Sequence, residues 1–145
     1  MTARRWIETV LKARQAHEDL SAQRLAEAER AAQRAASQLA YESHRVDALP
    51  GAAQESVTAF HAVAAAHQAA AATLAAASHR LEFARERVRA GRNELSAAAR
   101  DRRTIEKLAE REQQARNHAA TRRAQRDLDE AAINQHVRMD REATG

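Results

Sequence analysis

Seven histidines, at positions 17, 44, 61, 67, 79, 118 and 136, are the side chains best suited to hold a metal ion. A helix offers two imidazoles to one zinc when they stand four positions apart, and a carboxylate di-metal site needs Glu three positions before His. Neither spacing occurs, so no metal site is expected. Without cysteine, thiolate zinc clusters, disulfide scaffolds and cysteine nucleophiles are excluded together. The glycine frames that cradle phosphate or build a nucleophile elbow are also missing, because GxxxxGK, GxGxxG and GxSxG do not occur. The reading is of a chain that is not an enzyme and has no cofactor.

What remains is chemistry of recognition. Arg85, Arg87, Arg89 and Arg92, then Arg100, Arg102 and Arg103, form the densest basic stretch, but Glu82, Glu86 and Glu94 interleave with them at helical spacing. That pattern favours a solvated, salt-bridged face over a phosphate-binding one. Residues 93–103 are faintly similar to a bZIP basic region, yet the heptad leucines of a parallel zipper do not follow. Arg14 and Glu18, four apart, fall where apolar residues are expected. They either form an internal ion pair facing Arg92 or present themselves to a partner. Tyr41, Phe60 and His67 surround an alanine-rich stretch poor in charge, and either cap a pair of helices or form a docking patch.

The elements that must position these residues follow from composition. Of 145 residues 39 are alanine, only 3% are aromatic, and there are 3 Gly and 1 Pro. Larger apolar side chains are too few for a layered core, and β-branched clusters are absent, so the fold class is all-α. The break is Leu49-Pro50-Gly51, since Pro removes a helical donor and disfavours the α region before it. Helix one should run over about 3–48, a turn over about 49–55, and helix two over about 56–139, with Ser56 as N-cap.

Both stretches keep a seven-residue apolar register, the mark of coiled-coil packing. The first seam includes Ile7, Leu11, Ser21, Leu25, Leu39, Glu42 and Val46, and the second includes Phe60, Val63, His67, Leu74, Leu81, Gly91 and Leu95. An elongated antiparallel two-helix hairpin with a longer second helix is predicted, as a single coiled-coil domain over 1–145. Folding about 52–54 would set residue i against residue 106 minus i. Pairing would then end near Arg102 and leave about 50 Å of single helix from Thr104 to Met139.

Net charge is +4 with 22 Arg and 2 Lys, but GC-rich codons supply both Arg and Ala, so the arginine bias alone implies no recognition chemistry. Glu8, Lys12 and Arg14 interrupt any signal-peptide core. The longest stretch free of Lys, Arg, Asp and Glu, 56–79, is mainly alanine, so no stable membrane insertion is expected.

The stretch Val10-Leu11-Lys12-Ala13-Arg14, with Glu18, Leu25-Ala26-Glu27-Ala28 and Gln38-Leu39, resembles the first helix of the FliJ family of flagellar export proteins. That family is related to the YscO-type stalk proteins of injectisomes. Ile105-Glu106-Lys107-Leu108 and, further on, Gln125-Arg126-Asp127-Leu128-Asp129-Glu130 resemble its second signature, an E-K-L element followed by Q-K-x-L-D-E. The chain departs from the pattern at Arg126, where Lys is usual, and in having few aromatics near the tip.

The resemblance implies a non-enzymatic part of the flagellar, type III, export apparatus, serving protein transport, flagellum assembly and motility. It implies a cytoplasmic stalk, peripheral to the inner membrane, inserted in a hexameric export ATPase ring and linked to the cytoplasmic domain of the export gate. Export chaperones are further candidate partners. The expected ATPase-binding residues are Leu11, Arg14, Arg103, Ile105, Leu108, Arg122, Arg123, Gln125, Leu128, Asp129 and Ala132. The expected gate-binding residues are Tyr41, Phe60, Val63 and His67. The alternative class is a coiled-coil nucleic-acid-binding or nucleoid-associated protein. For that class, log affinity for DNA would fall steeply with log salt.

Overall fold

The computed structural model describes residues 3–51 and 56–143, and among them every regular element is helical. Helix α1 spans Ala3–Asp47 and α2 spans Val57–Ala143, 45 and 87 residues. The protein is an all-α helical hairpin with the second helix the longer.

The helix ends follow from local chemistry. His44 and Arg45 occupy the last turn of α1, where positive charge meets the carbonyl end of the dipole. Two further backbone bonds, Ala48 N to His44 O and Leu49 N to Val46 O, close that end before Pro50. At the start of α2, Ser56 Oγ accepts from Ala59 N at 3.1 Å, satisfying an amide that the first turn leaves without a helical partner. The fold-back point expected at 52–54 lies outside the described residues.

The chain forms two compact units, Ala13–Asp101 and Met1–Lys12 with Arg102–Gly145. In Ala13–Asp101, Ala77, Leu81, Ala84 and Ala98 are buried, and Leu25, Leu39, Leu74, Val88 and Leu95 are half-buried. Leu81 stands one turn from Ala77 and from Ala84 on its own helix and lines a groove with Ala32 and Ala36. Small residues along the seam let the backbones approach: a Cβ added to Gly91 would lie 3.4 Å from Leu25 Cδ1 and 3.5 Å from Leu25 Cα. Two polar seam residues are buried with their bonding satisfied. Ser21 Oγ donates to His17 O at 2.9 Å. Glu42 accepts from Gln38 Nε2 at 2.7 Å and from Arg45 Nη1 at 2.9 Å, so both carboxylate oxygens have a donor.

The register corrects the expected one. Gly91 meets Leu25, Arg14 pairs with Asp101 at 3.0 Å, and His67 Nε2 lies 3.0 Å from Pro50 O. Each pair sums to about 116 rather than 106. The shift shows at Pro50, whose carbonyl meets His67 rather than the first turn of α2. The first three turns of α2 therefore lie beyond the end of α1. Phe60 and His67, expected in the seam, are exposed because no α1 residue stands at their level.

Three further expectations change with this shift. Arg92 does not face Arg14; its Nη2 reaches Glu29 Oε1 at 3.2 Å, and Arg14 takes Asp101 instead. Arg14 is accordingly exposed rather than part of the seam. Pairing also continues past Arg102. In the unit of Met1–Lys12 with Arg102–Gly145, Ile7 is 6% exposed and shares a shallow groove with Ala109, Glu112 and Arg116. Among the described residues Glu112 is the last half-buried one, and from Gln113 to Met139 every side chain is exposed.

Candidate functional site

Two surfaces gather the residues expected to bind partners, and each is built differently from the sequence expectation. At the connection, Val63 is half-buried while Tyr41 and Phe60 are 59% and 51% exposed. The Arg45 guanidinium lies 5.9 Å from the Tyr41 ring centroid, so the tyrosine is held along its own helix. Phe60 meets His61 edge to face, with centroids 6.0 Å apart. His67 is tied to the Pro50 carbonyl, fixing the returning segment against α2.

These four do not lie on neighbouring turns. The observed register sets Tyr41 level with about Ala75, 15 residues or roughly 22 Å of helical rise from Phe60. Phe60, Val63 and His67 form one cluster of successive turns, and Tyr41 stands apart from them.

The second set lies mostly in α2 beyond residue 102. Ile105 is half-buried, and so is Leu11, so both belong to the paired stretch and not to a free helix. Arg14 belongs to the other unit, bonded to Asp101. Arg103 and Leu108 are exposed, as are Arg122, Arg123, Gln125, Asp129 and Ala132, and Leu128 is 66% exposed. Gln125 Nε2 donates to Asp129 Oδ1 at 2.9 Å, one turn on. Ile105 and Leu128 are 23 positions apart, roughly 140° of helical rotation and about 35 Å of rise, so they share no face.

The distal helix carries a stripe that the seam-based reading passed over. Asn117, Thr121, Ala124, Leu128, Ala131 and Gln135 recur at alternating spacings of four and three and are all uncharged. The seam phase of the paired stretch, continued onward, meets Arg116, Arg123 and Arg126 instead. The uncharged stripe was readable from spacing alone, once the register was allowed to rotate at the end of the paired stretch. Ile133, Val137 and Met139 add large exposed apolar side chains further along.

Among the described residues no group of three or more His, Asp or Glu is placed to hold a metal ion, and no helix is long and apolar enough to cross a membrane. In the basic stretch, Arg89 reaches Glu86 at 3.8 Å and Arg92 reaches Glu29. The family model for the flagellar FliJ protein matches residues 5–141 of the 145. The chain belongs to the FliJ family. Searches of curated proteins and of solved structures give no match. Membership makes this chain a non-enzymatic component of the flagellar export apparatus. Membership also points to interactions within that apparatus.

Proposed function

We propose that the chain is the central stalk of the hexameric export ATPase ring and links that ring to the cytoplasmic domain of the export gate, in the cytoplasm at the inner membrane. The observation that carries this reading is the run of exposed side chains along α2 from Asn117 to Met139, a stretch that no second helix covers among the described residues. A single helix with exposed Leu128, Ile133, Val137 and Met139 is poorly stabilised alone and gains by burial in a ring. Arg122, Arg123, Gln125, Asp129 and Ala132 flank Leu128 and would meet the ring with it. Leu11, Ile105, Leu108 and Arg103 would set the base of that contact. Phe60, Val63 and His67, with Tyr41 further along, would receive the gate.

A stalk without a catalytic group acts only through differential binding, favouring one state of the ring over another. The test is ATP hydrolysis by the export ATPase with added chain, full length or ended after Arg116. Stimulation by the full chain and its loss in the shortened one is the expected result. Equal stimulation by both would overturn the assignment of the distal helix.

A further inference from the structure

The two long sides of the paired helices in Ala13–Asp101 are not alike. One side has a shallow groove lined by Glu29, Ala32, Gln33, Leu81, Arg85 and Arg92. Its charges are partly neutralised within the chain, through Arg92 with Glu29, and none of its lining residues is an exposed large apolar side chain. The other side has a groove floored by Ala28, Ala31, Ala90 and Gly91. Leu20, Phe83 and Tyr41 stand along that side at 44%, 63% and 59% exposure. Leu20 and Tyr41 occupy the heptad position of Glu27 on α1, and Phe83 that of Ala90 on α2; Glu27 and Ala90 both line this groove.

Spacing and charge say what fits there. In the observed register Leu20 is level with about Ser96 and Tyr41 with about Ala75, which puts Phe83 about two heptads from the first and one from the second. An added helix with an apolar residue every seventh position would reach all three, and the alanine and glycine floor admits its backbone closely. Phe83 is flanked by Arg80 and Arg87 on its own helix and is level with about Gln33, next to Arg34, on the other. Arg24 and Arg87 rim the groove, against Glu27 and Glu94. Arg24, Arg34, Arg80 and Arg87 reach no carboxylate among the described residues. A second copy of this side would bring arginines onto arginines, so self-pairing is disfavoured and an acidic partner is favoured.

We propose that the Leu20–Phe83–Tyr41 side of the hairpin is a docking face for an acidic amphipathic helix of a partner protein, laid along the groove as a third strand of the coil. The proposal uses no residue of the distal helix, and its test leaves Tyr41 unaltered, so it stands or falls apart from the stalk reading.

The probe is a synthetic helical peptide of about 24 residues with Leu at every seventh position and Glu on both flanks, compared with the same peptide carrying Lys for Glu. Titration onto the full-length chain should show the acidic peptide binding at least about tenfold more tightly, with the preference shrinking as salt rises. Phe83→Ala and Leu20→Ala should each weaken it about fivefold or more at unchanged helicity, because both side chains are exposed and neither holds the seam. The double change Arg80→Glu, Arg87→Glu should abolish the preference for the acidic peptide, whereas Arg85→Glu, Arg89→Glu on the other groove should leave most of it. Equal binding of the two peptides, equal loss from either groove, tighter binding of duplex DNA than of the acidic peptide, or self-association through Phe83 would each overturn the proposal.

Discussion

The paired helices of Ala13–Asp101 and the stretch of α2 from Gln113 to Met139 are written in nearly the same residues, Ala, Arg, Glu and Gln, yet one has a seam and the other has none. The difference is what occupies the seam phase. From Ala77 to Ala98 that phase carries Leu, Ala, Val and Gly, so large side chains alternate with small ones and a second helix can approach. Beyond Glu112 it carries Arg116, Arg123 and Arg126. A guanidinium in the seam would be costly to desolvate without a partner, so pairing stops there although the helix does not. Helix formation is set by local propensity and continues; helix pairing is set by seven-residue spacing and ends. That separation leaves the distal side chains of α2 exposed.

The comparison breaks most sharply under the same substitution made in both regions. Leu81→Asp puts a charge at a site only 7% exposed and should cost several kcal/mol, read as a large fall in the melting temperature. Leu128→Asp, at a site 66% exposed, should change stability by no more than about 0.5 kcal/mol. A similar loss from both would mean that the distal helix is packed in the free chain.

Gly91→Ala sharpens the picture of the seam. The new methyl would meet Leu25 at 3.4 Å, ordinary contact rather than overlap, while removing the helical penalty of glycine. A gain of up to about 1 kcal/mol is expected in denaturant unfolding, and a loss would show that the backbones are tighter than these distances. The smallest effect belongs to the pair of Arg14 and Asp101, whose side chains are 45% and 55% exposed. Asp101→Asn should cost under about 1 kcal/mol and less at high salt. A larger cost would make this pair a determinant of register.

Much of the fold could be read in the residues. The seam positions Leu11, Leu25, Leu39, Leu74, Leu81 and Leu95 are all at least half-buried, because apolar spacing reports directly on which face is covered. The level at which the two helices meet could not be read. Sliding one heptad seam along another by a turn or two preserves the spacing, and the observed level is seen in contacts such as His67 against Pro50. The errors at Phe60, at His67 and in the separation of Tyr41 from Phe60 all descend from that one slip. The arginine side of the hairpin was hidden for the same reason, since Phe83 comes level with about Gln33, next to Arg34, only when the register is known.

Hydrogen exchange of the full-length chain, alone and with the export ATPase, tests the central claim most directly. Alone, amides from 113 to 139 should exchange faster than those from 74 to 98, because the distal stretch of α2 lacks the burial that holds the paired one. With the ATPase, protection should appear in 113–139 while 74–98 stays unchanged. Protection confined to 74–98, with 113–139 still exchanging freely, would contradict the assignment of the distal helix to the ring.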